Sequence, residues 1–496
     1  MLDWLRAIYD RLTAGGSTEA QAVQSGVWVT AINVGDRVLQ LLKVIILARL
    51  LSPEAFGLLG IALVAIAALQ QFSNLGFEEA LIHHEEENVD VYLNTAWVIK
   101  IIRGAVIFII AFLTAPSLAA FFGEPQAEPL IQLLGFTPLI LGVQNPAVMY
   151  FRKHLNFHRE FVYQVGGRLI DLLVAVTIAV VFQSVWALPA GIVAMNLAKA
   201  AISYGIHEYR PRIEFDLELG RDMFDFGKWM FVSSILVFIT GQGDDAFVGW
   251  YFTATTLGFY QIAYRISNAP ATEVTSVISR VAFPAFSKVQ NDTVRLREGY
   301  LRTLQLGTVI SFPMAAGIAA VAPYFVHVAF GNEWRPMVPL IQVLAIWGGI
   351  RSFGATVGPI YKSIGRPDIE VKLQATKVII GSVSIFPVAE YFGVTGVATL
   401  LVCLPLLTNP IHQYMLMTIL ETDIRTLLKP AVYPFIGSVL MYIAVTRVSG
   451  LVSMNALSLT LLIAIGVIIY SSVIYIIDIL TDYEMRILLK DVSESI

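Results

Sequence analysis

The sequence predicts an all-α polytopic membrane protein, a bundle of membrane-crossing helices built as two related lobes. Three observations carry that prediction. Hydrophobic residues fill 56% of the 496 positions and charged residues only 14%, with a mean hydropathy of +0.71. A soluble domain carries about a quarter charged residues. Apolar runs of about 20 residues, the length a helix needs to cross roughly 30 Å of hydrocarbon, recur along nearly the whole chain. A short phrase also recurs: "PLIQLL" at Pro129–Leu134 returns as "PLIQVL" at Pro339–Leu344. The runs are continuous and do not alternate in polarity, which excludes a β-barrel.

The elements follow in order. "MLDWLRAIYDRL" sets Leu2, Leu5, Tyr9 and Leu12 on one helical face, so residues 1–24 read as an interfacial segment without a cleavable signal. Fourteen spans follow, at 25–48, 55–75, 92–114, 128–150, 162–183, 186–206, 227–250, 256–281, 301–322, 337–360, 372–390, 393–416, 430–447 and 456–479. The fourth and tenth carry internal prolines and glycines. Short polar punctuation makes neighbouring helices antiparallel hairpins. Lys and Arg concentrate in alternate loops, at 150–160, 208–228, 280–297, 361–372 and 425–429. The positive-inside rule makes those loops, and hence both termini, cytoplasmic. The acidic loop "FEEALIHHEEENVD" (77–90) falls on the same side, and acidic residues weigh little in that rule.

The repeat extends beyond its opening phrase. "FGLLGIA" (56–62) aligns with "LGFYQIA" (257–263), pairing Gly57 with Gly258 at an offset of 201; Gly123 pairs with Gly331 at 208, and the "PLIQ" phrases lie 210 apart. An upward drift is what loop insertions produce. Spans 1–6 (25–206) and 7–12 (227–416) are therefore expected to be parallel six-helix lobes related by an axis along the membrane normal, joined by a cytoplasmic linker at 207–226. Residues 417–496 hold spans 13 and 14 and a tail. Two lobes around a cavity form a transporter architecture that works by rocking.

Charge inside a span is costly and asks for a reason. Arg49, Lys100, Arg103, Arg168 and Lys199 have a bland one, snorkelling to an interface. The first span, "TAINVGDRVLQLLKVIILARLL", resists it. Asp36 and Lys43, seven residues apart, share a face and can form an internal ion pair, while Arg37 points about 100° away. The eighth carries Arg265, Asn268 and Glu273 around Pro270. The seventh carries Asp244 and Asp245, and an offset of 201 sets Lys43 on Asp244. Arg351 and Lys377 add to the set, with structural pairing as the alternative.

Several chemistries are excluded or unsupported. There is no P-loop for ATP, no basic-aromatic patch for nucleic acid, no Ser/His/Asp arrangement and no requirement for a cofactor. His83 and His84 lack metal-ligand spacing and read as a solvated loop. The lone Cys403 lies in an apolar run and reads as a buried, inert thiol. No long external loop is present to carry enzyme chemistry.

"LARLLSPEAFGLLGIA" (47–62), "DDAFVGWYFTATTLGFYQIAYRISNAP" (244–270) and "RVAFPAFSKVQND" (280–292) resemble the polysaccharide-exporter branch of the multidrug/oligosaccharidyl-lipid/polysaccharide superfamily, over about residues 25–420. The resemblance implies a monomeric flippase in the plasma or inner membrane. Such a carrier moves a polyprenyl-pyrophosphate-linked oligosaccharide from the cytoplasmic to the outer leaflet for lipopolysaccharide or other surface polysaccharide. In related peptidoglycan-lipid flippases, cations of the first and eighth helices line the cavity and are proposed to bind the pyrophosphate. The matching stretches here, "DRVLQLLKVIILAR" and "AYRISNAP", put those cations at Arg37, Lys43 and Arg265. The acidic residue that follows the first-helix cation in those relatives is absent, and Val44 stands there. Coupling to H+ or Na+ is common among the relatives, and Asp36, Asp244, Asp245, Glu273 and Arg351 are the residues to carry it or line the cavity. Two other readings compete: a cation-coupled multidrug exporter, for which these cations have the wrong sign, and a membrane O-antigen ligase or polymerase.

Overall fold

The structure, a computed structural model, describes residues 18–73, 89–149, 151, 156–215, 217–354, 356–481 and 483. Most of the expected interfacial segment, the acidic loop with His83 and His84, and the C-terminal tail lie outside the described residues. The described residues form helices and no strand. Ten segments among them are long and apolar enough to cross a membrane, and the chain is a multi-pass membrane protein.

Contacts divide the chain into two units, Met1–Gly258 and Phe259–Ile496. The first holds α1 (Thr18–Leu50), α2 (Pro53–Phe72), α3 (Val89–Phe121), α4 (Glu128–Val143), α5 (Phe157–Phe182), α6 (Ala187–Ile206) and α7 (Leu217–Tyr251). Helix α8 (Ala254–Lys288) starts in it and runs on into the second unit. There follow α9 (Thr293–Phe325), α10 (Val338–Gly354), the short α11 (Val357–Ser363), α12 (Pro367–Ile419), α13 (Ile424–Ser449) and α14 (Ala456–Leu480). In the first unit α1 packs on α5, α5 on α6, α3 on α4, and α7 on α2. In the second, α9 packs on α10, α13 and α14, and α10 packs on α12.

Local chemistry sets the boundaries. Helix α2 starts where the sequence writes Ser-Pro-Glu. The Ser52 hydroxyl accepts the Ala55 N–H at 3.4 Å, Pro53 takes the position whose N–H has no helical partner, and Glu54 meets the positive end of the dipole. At its other end Arg103 of α3 donates to the Gln70 carbonyl (2.7 Å) and to Ser73 Oγ (3.0 Å). Arg103 therefore caps a helix, giving one bond to a backbone carbonyl and one to the capping hydroxyl. Helix α4 stops at Val143, short of the expected 150, because Asn145 precedes Pro146 and is steered away from helix. The expected spans 372–390 and 393–416 lie on one long element, α12, bent at Gly393, whose φ of 61° is outside the helical region.

The repeated phrase marks equivalent places. Before it, just past the end of α3, Gly123 (φ +68°) and a 3-10 turn, Pro125–Ala127, lead into α4. Before its second copy, Gly331 (φ +100°) and a 3-10 turn, Asn332–Met337, lead into α10. Leu130, Ile131 and Leu134 in one copy, and Leu340, Ile341 and Leu344 in the other, are each at most 2% exposed. One expectation is overturned: Cys403 is exposed on α12. In a bilayer the outside of a bundle is also apolar, so an apolar neighbourhood does not imply burial.

Candidate functional site: an ion-pair cluster within the first unit

Helices α1 and α5 bring four charges together. Lys43 Nζ lies 2.5 Å from Asp171 Oδ1, with side chains 10% and 0% exposed. Arg168 sits one turn before Asp171 on α5. Its Nε donates to Asp36 Oδ1 at 2.7 Å, one terminal nitrogen to Asp36 Oδ2 at 3.4 Å, and the other to Asp171 Oδ2 at 3.4 Å. One guanidinium thus spans two carboxylates, a geometry its planar fork provides and an ammonium does not. The pairs are layered: Asp36 and Arg168 are part-exposed, Lys43 and Asp171 lie beneath.

The sequence expectation of a pair inside α1, Asp36 with Lys43, is corrected by this arrangement. Seven residues put the two side chains about 10 Å apart along the axis, and α5 supplies each with a nearer partner. Arg168 and Lys199, read as snorkelling residues, also turn inward. Lys199 of α6 is half-buried and donates to Gln164 Oε1 at 2.7 Å. Asp171 was missed, although a carboxylate three residues after an arginine inside an apolar run was a signal available in the sequence.

The other site residues fall as follows. Arg37 lies on the exposed side of α1. Asp244 and Asp245 are half-buried near the end of α7, just before the aromatic group Phe247, Trp250 and Tyr251. In the second unit Arg265 is exposed on α8, and Arg351 of α10 donates to Asn268 Oδ1 of α8 at 3.2 Å while lying over the Trp347 ring at 5.1 Å. Tyr264 packs on the same Trp347, ring centroids 5.1 Å apart. Glu273 lies on α8 with its side chain outside the described residues. Among the described residues no group of three acidic, His or Cys side chains could hold a metal ion.

A helical bundle that pairs buried charges across helices, two of them (α5 and α6) long and apolar enough to cross a membrane, has the build of a membrane carrier. The chain belongs to the family described as polysaccharide biosynthesis protein, whose pattern matches residues 46–339. It is 28% identical over 396 residues to the lipopolysaccharide biosynthesis protein WzxC of Escherichia coli, covering 78% of each chain. It is 22% identical over 435 residues to the teichuronic acid biosynthesis protein TuaB of Bacillus subtilis, covering 87% of this chain and 90% of that one. Its fold is similar to that of the lipid II flippase MurJ in an inward closed conformation, with a TM-score of 0.71 at 13% identity over 92% of this chain and 100% of that one. An inward-facing multidrug transporter of the MATE family shares the fold at a TM-score of 0.63, with 16% identity over 78% of this chain and 96% of that one.

Proposed function

We propose that the protein is a flippase that carries polyprenyl-pyrophosphate-linked oligosaccharide from the cytoplasmic to the outer leaflet, for cell-surface polysaccharide biosynthesis. The family and its lipopolysaccharide and teichuronic acid relatives support that reading, and so does a flippase-type fold. The observation that carries the cargo's charge is the cluster on α1, α5 and α6: Lys43, Arg168 and Lys199 against Asp36 and Asp171, three cations and two anions. An excess of positive charge held inside a bundle suits an anionic head group, not the lipophilic cations of a multidrug exporter.

The physical task is to move a diphosphate and several sugars past hydrocarbon. Each polar group stripped of water without a partner costs several kcal/mol. A carrier that offers the head group cations and hydrogen bonds, while the polyprenyl chain stays in lipid, removes that barrier without chemistry. We read the chain as fourteen crossings with both termini cytoplasmic, spans 25–206 and 227–416 as the two lobes of an alternating-access device, 207–226 as their linker, and 417–496 as an appendage. Arg37, Lys43 and Arg265 serve the head group in this reading. Asp36, Asp244, Asp245, Glu273 and Arg351 are the residues for an H+ or Na+ couple or for lining the path. The carrier acts as a monomer and as a transporter, not an enzyme.

The test is a lipid-sidedness assay in cells that depend on this protein. Arg37→Ala and Arg265→Ala should each leave lipid-linked oligosaccharide in the inner leaflet and lower surface glycan, and the double variant should abolish export. Normal surface glycan from all three would sink the head-group assignment.

A further inference from the structure

We infer that Lys199, with the free edge of Arg168, is a ligand for the diphosphate of the carried lipid. This rests on the flippase reading above and names where in the first unit the head group binds.

Lys43 and Arg168 each touch a carboxylate, and the two carboxylates are thereby matched. Lys199 is the remaining cation. Its ammonium is held by neutral groups of α5: it donates to the Gln164 amide oxygen at 2.7 Å and stands 5.4 Å over the Tyr163 ring. Among the described residues it touches no carboxylate. An ammonium inside the bundle whose direct contacts are neutral, with Asp36 and Asp171 acting on it only from a distance, keeps donors and charge for an anion.

The fold makes room for this one side chain. The Lys199 stem crosses α5 at Gly167, where a β-carbon would come within 2.6 Å of Cγ and 2.8 Å of Cε. A side chain at 167 would meet that stem, so the glycine leaves the space in which the lysine lies against α5. Arg168 lies on the same turn of α5 with a side chain 21% exposed. Three of its five N–H groups go to Asp36 and Asp171, which leaves two for a ligand. Lys199 has two further N–H groups beyond the one given to Gln164. Together they offer four donors and one unmatched positive charge to a group with several acceptor oxygens. A diphosphate fits that chemistry; a lipophilic cation or a neutral sugar does not.

The probe is farnesyl diphosphate, titrated into the full-length protein in lipid nanodiscs beside farnesyl monophosphate, farnesol and inorganic pyrophosphate. Lys199→Gln should weaken farnesyl diphosphate about tenfold, weaken the monophosphate less and leave farnesol unchanged. Gly167→Ala removes no charge but pushes the lysine stem from its slot, and it should weaken the diphosphate as well. Unchanged diphosphate affinity in Lys199→Gln, with the wild-type protein binding normally, overturns the inference and leaves the flippase reading standing. An equal loss for farnesol in Lys199→Gln overturns it too, because that is the signature of damaged packing. Pyrophosphate binding as tightly as farnesyl diphosphate overturns the lipid-borne part, and a wild-type protein that binds neither overturns the flippase reading itself.

Discussion

Gly57 and Gly258 are reciprocal partners. A β-carbon on Gly57 would fall 1.6 Å from the Ala254 carbonyl oxygen, and one on Gly258 would fall 2.2 Å from the Pro53 carbonyl oxygen. Pro53 opens α2 and Ala254 opens α8, and both pairs, 53 with 254 and 57 with 258, are 201 residues apart. The first turns of α2 and α8 thus pack backbone to backbone, with Glu124 accepting the Ala254 N–H at 3.1 Å beside them. Gly57→Ala or Gly258→Ala must push the helix starts apart, which costs about 1–3 kcal/mol by overpacking. Each should lower the melting temperature of the purified protein. Gly205→Ala on α6, where a β-carbon meets nothing within 4 Å, should not. Equal effects at all three positions would show that the contact is not tight.

The Lys43–Asp171 pair is set between helices and is nearly dry. Removing one partner takes the nearest counter-charge from a buried ion, and because Arg168 still reaches Asp171 at 3.4 Å the cost should fall below about 3–5 kcal/mol, that of a wholly uncompensated charge. Asp171→Asn and Lys43→Gln should each destabilise the protein, and the double variant should be more stable than the sum of the singles by more than about 1 kcal/mol. Chemical unfolding in detergent micelles, followed by tryptophan fluorescence, measures all four corners of that cycle. Additive losses would mean the two charges act through other groups.

Much of the scaffold was legible because its signals are local. The fourteen-span reading found most of the helices, although Asn145-Pro146, which ends α4 at Val143, lay inside the expected span 128–150 and Ser52-Pro53-Glu54 starts α2 just ahead of the expected 55. The charged site was only half legible. Periodicity puts Asp36 and Lys43 on one face of α1 but says nothing of which helix lies opposite, and it was α5 that carried Asp171 and Arg168. Arg103 looked like a snorkelling residue because its partner is a backbone carbonyl, which leaves no mark in a sequence. Cys403 misled for a reason special to membranes: apolar side chains cover the lipid face as well as the core.

The segment after α6 is strapped to the bundle by two asparagines. Asn94 Oδ1 accepts from Tyr209 Oη at 2.6 Å and from the Arg212 N–H at 2.9 Å, while its Nδ2 donates to Glu214 at 3.0 Å. Asn145 Nδ2 donates to the Tyr209 carbonyl at 2.8 Å. Asn94→Leu keeps the volume but leaves those donors without acceptors, at about 1–3 kcal/mol each where they stay buried. The segment should then lift. Trypsin should cut after Arg212 several-fold faster than in the wild-type protein, while Arg210, followed by Pro211, stays protected in both. Unchanged cleavage would place the hold on the segment elsewhere.

Asp423, at the start of α13, gives the fold a pH dependence whose sign is fixed. Its carboxylate accepts the Thr426 hydroxyl at 2.5 Å, and that bond, with backbone N–H groups of the first turn, holds its pKa below the ordinary value of 3.8. A carboxyl whose folded pKa is depressed stabilises the folded state above its unfolded pKa, and the contribution is lost as pH falls through the folded value. Asp423→Asn should therefore melt below the wild-type protein at about pH 6, and the gap should close only as the pH falls below the lowered folded pKa of Asp423, where both carry a neutral side chain. Thr426→Val should reduce the same gap by removing the main donor. A melting difference that persists unchanged at low pH would show that Asp423 acts through shape and not through charge.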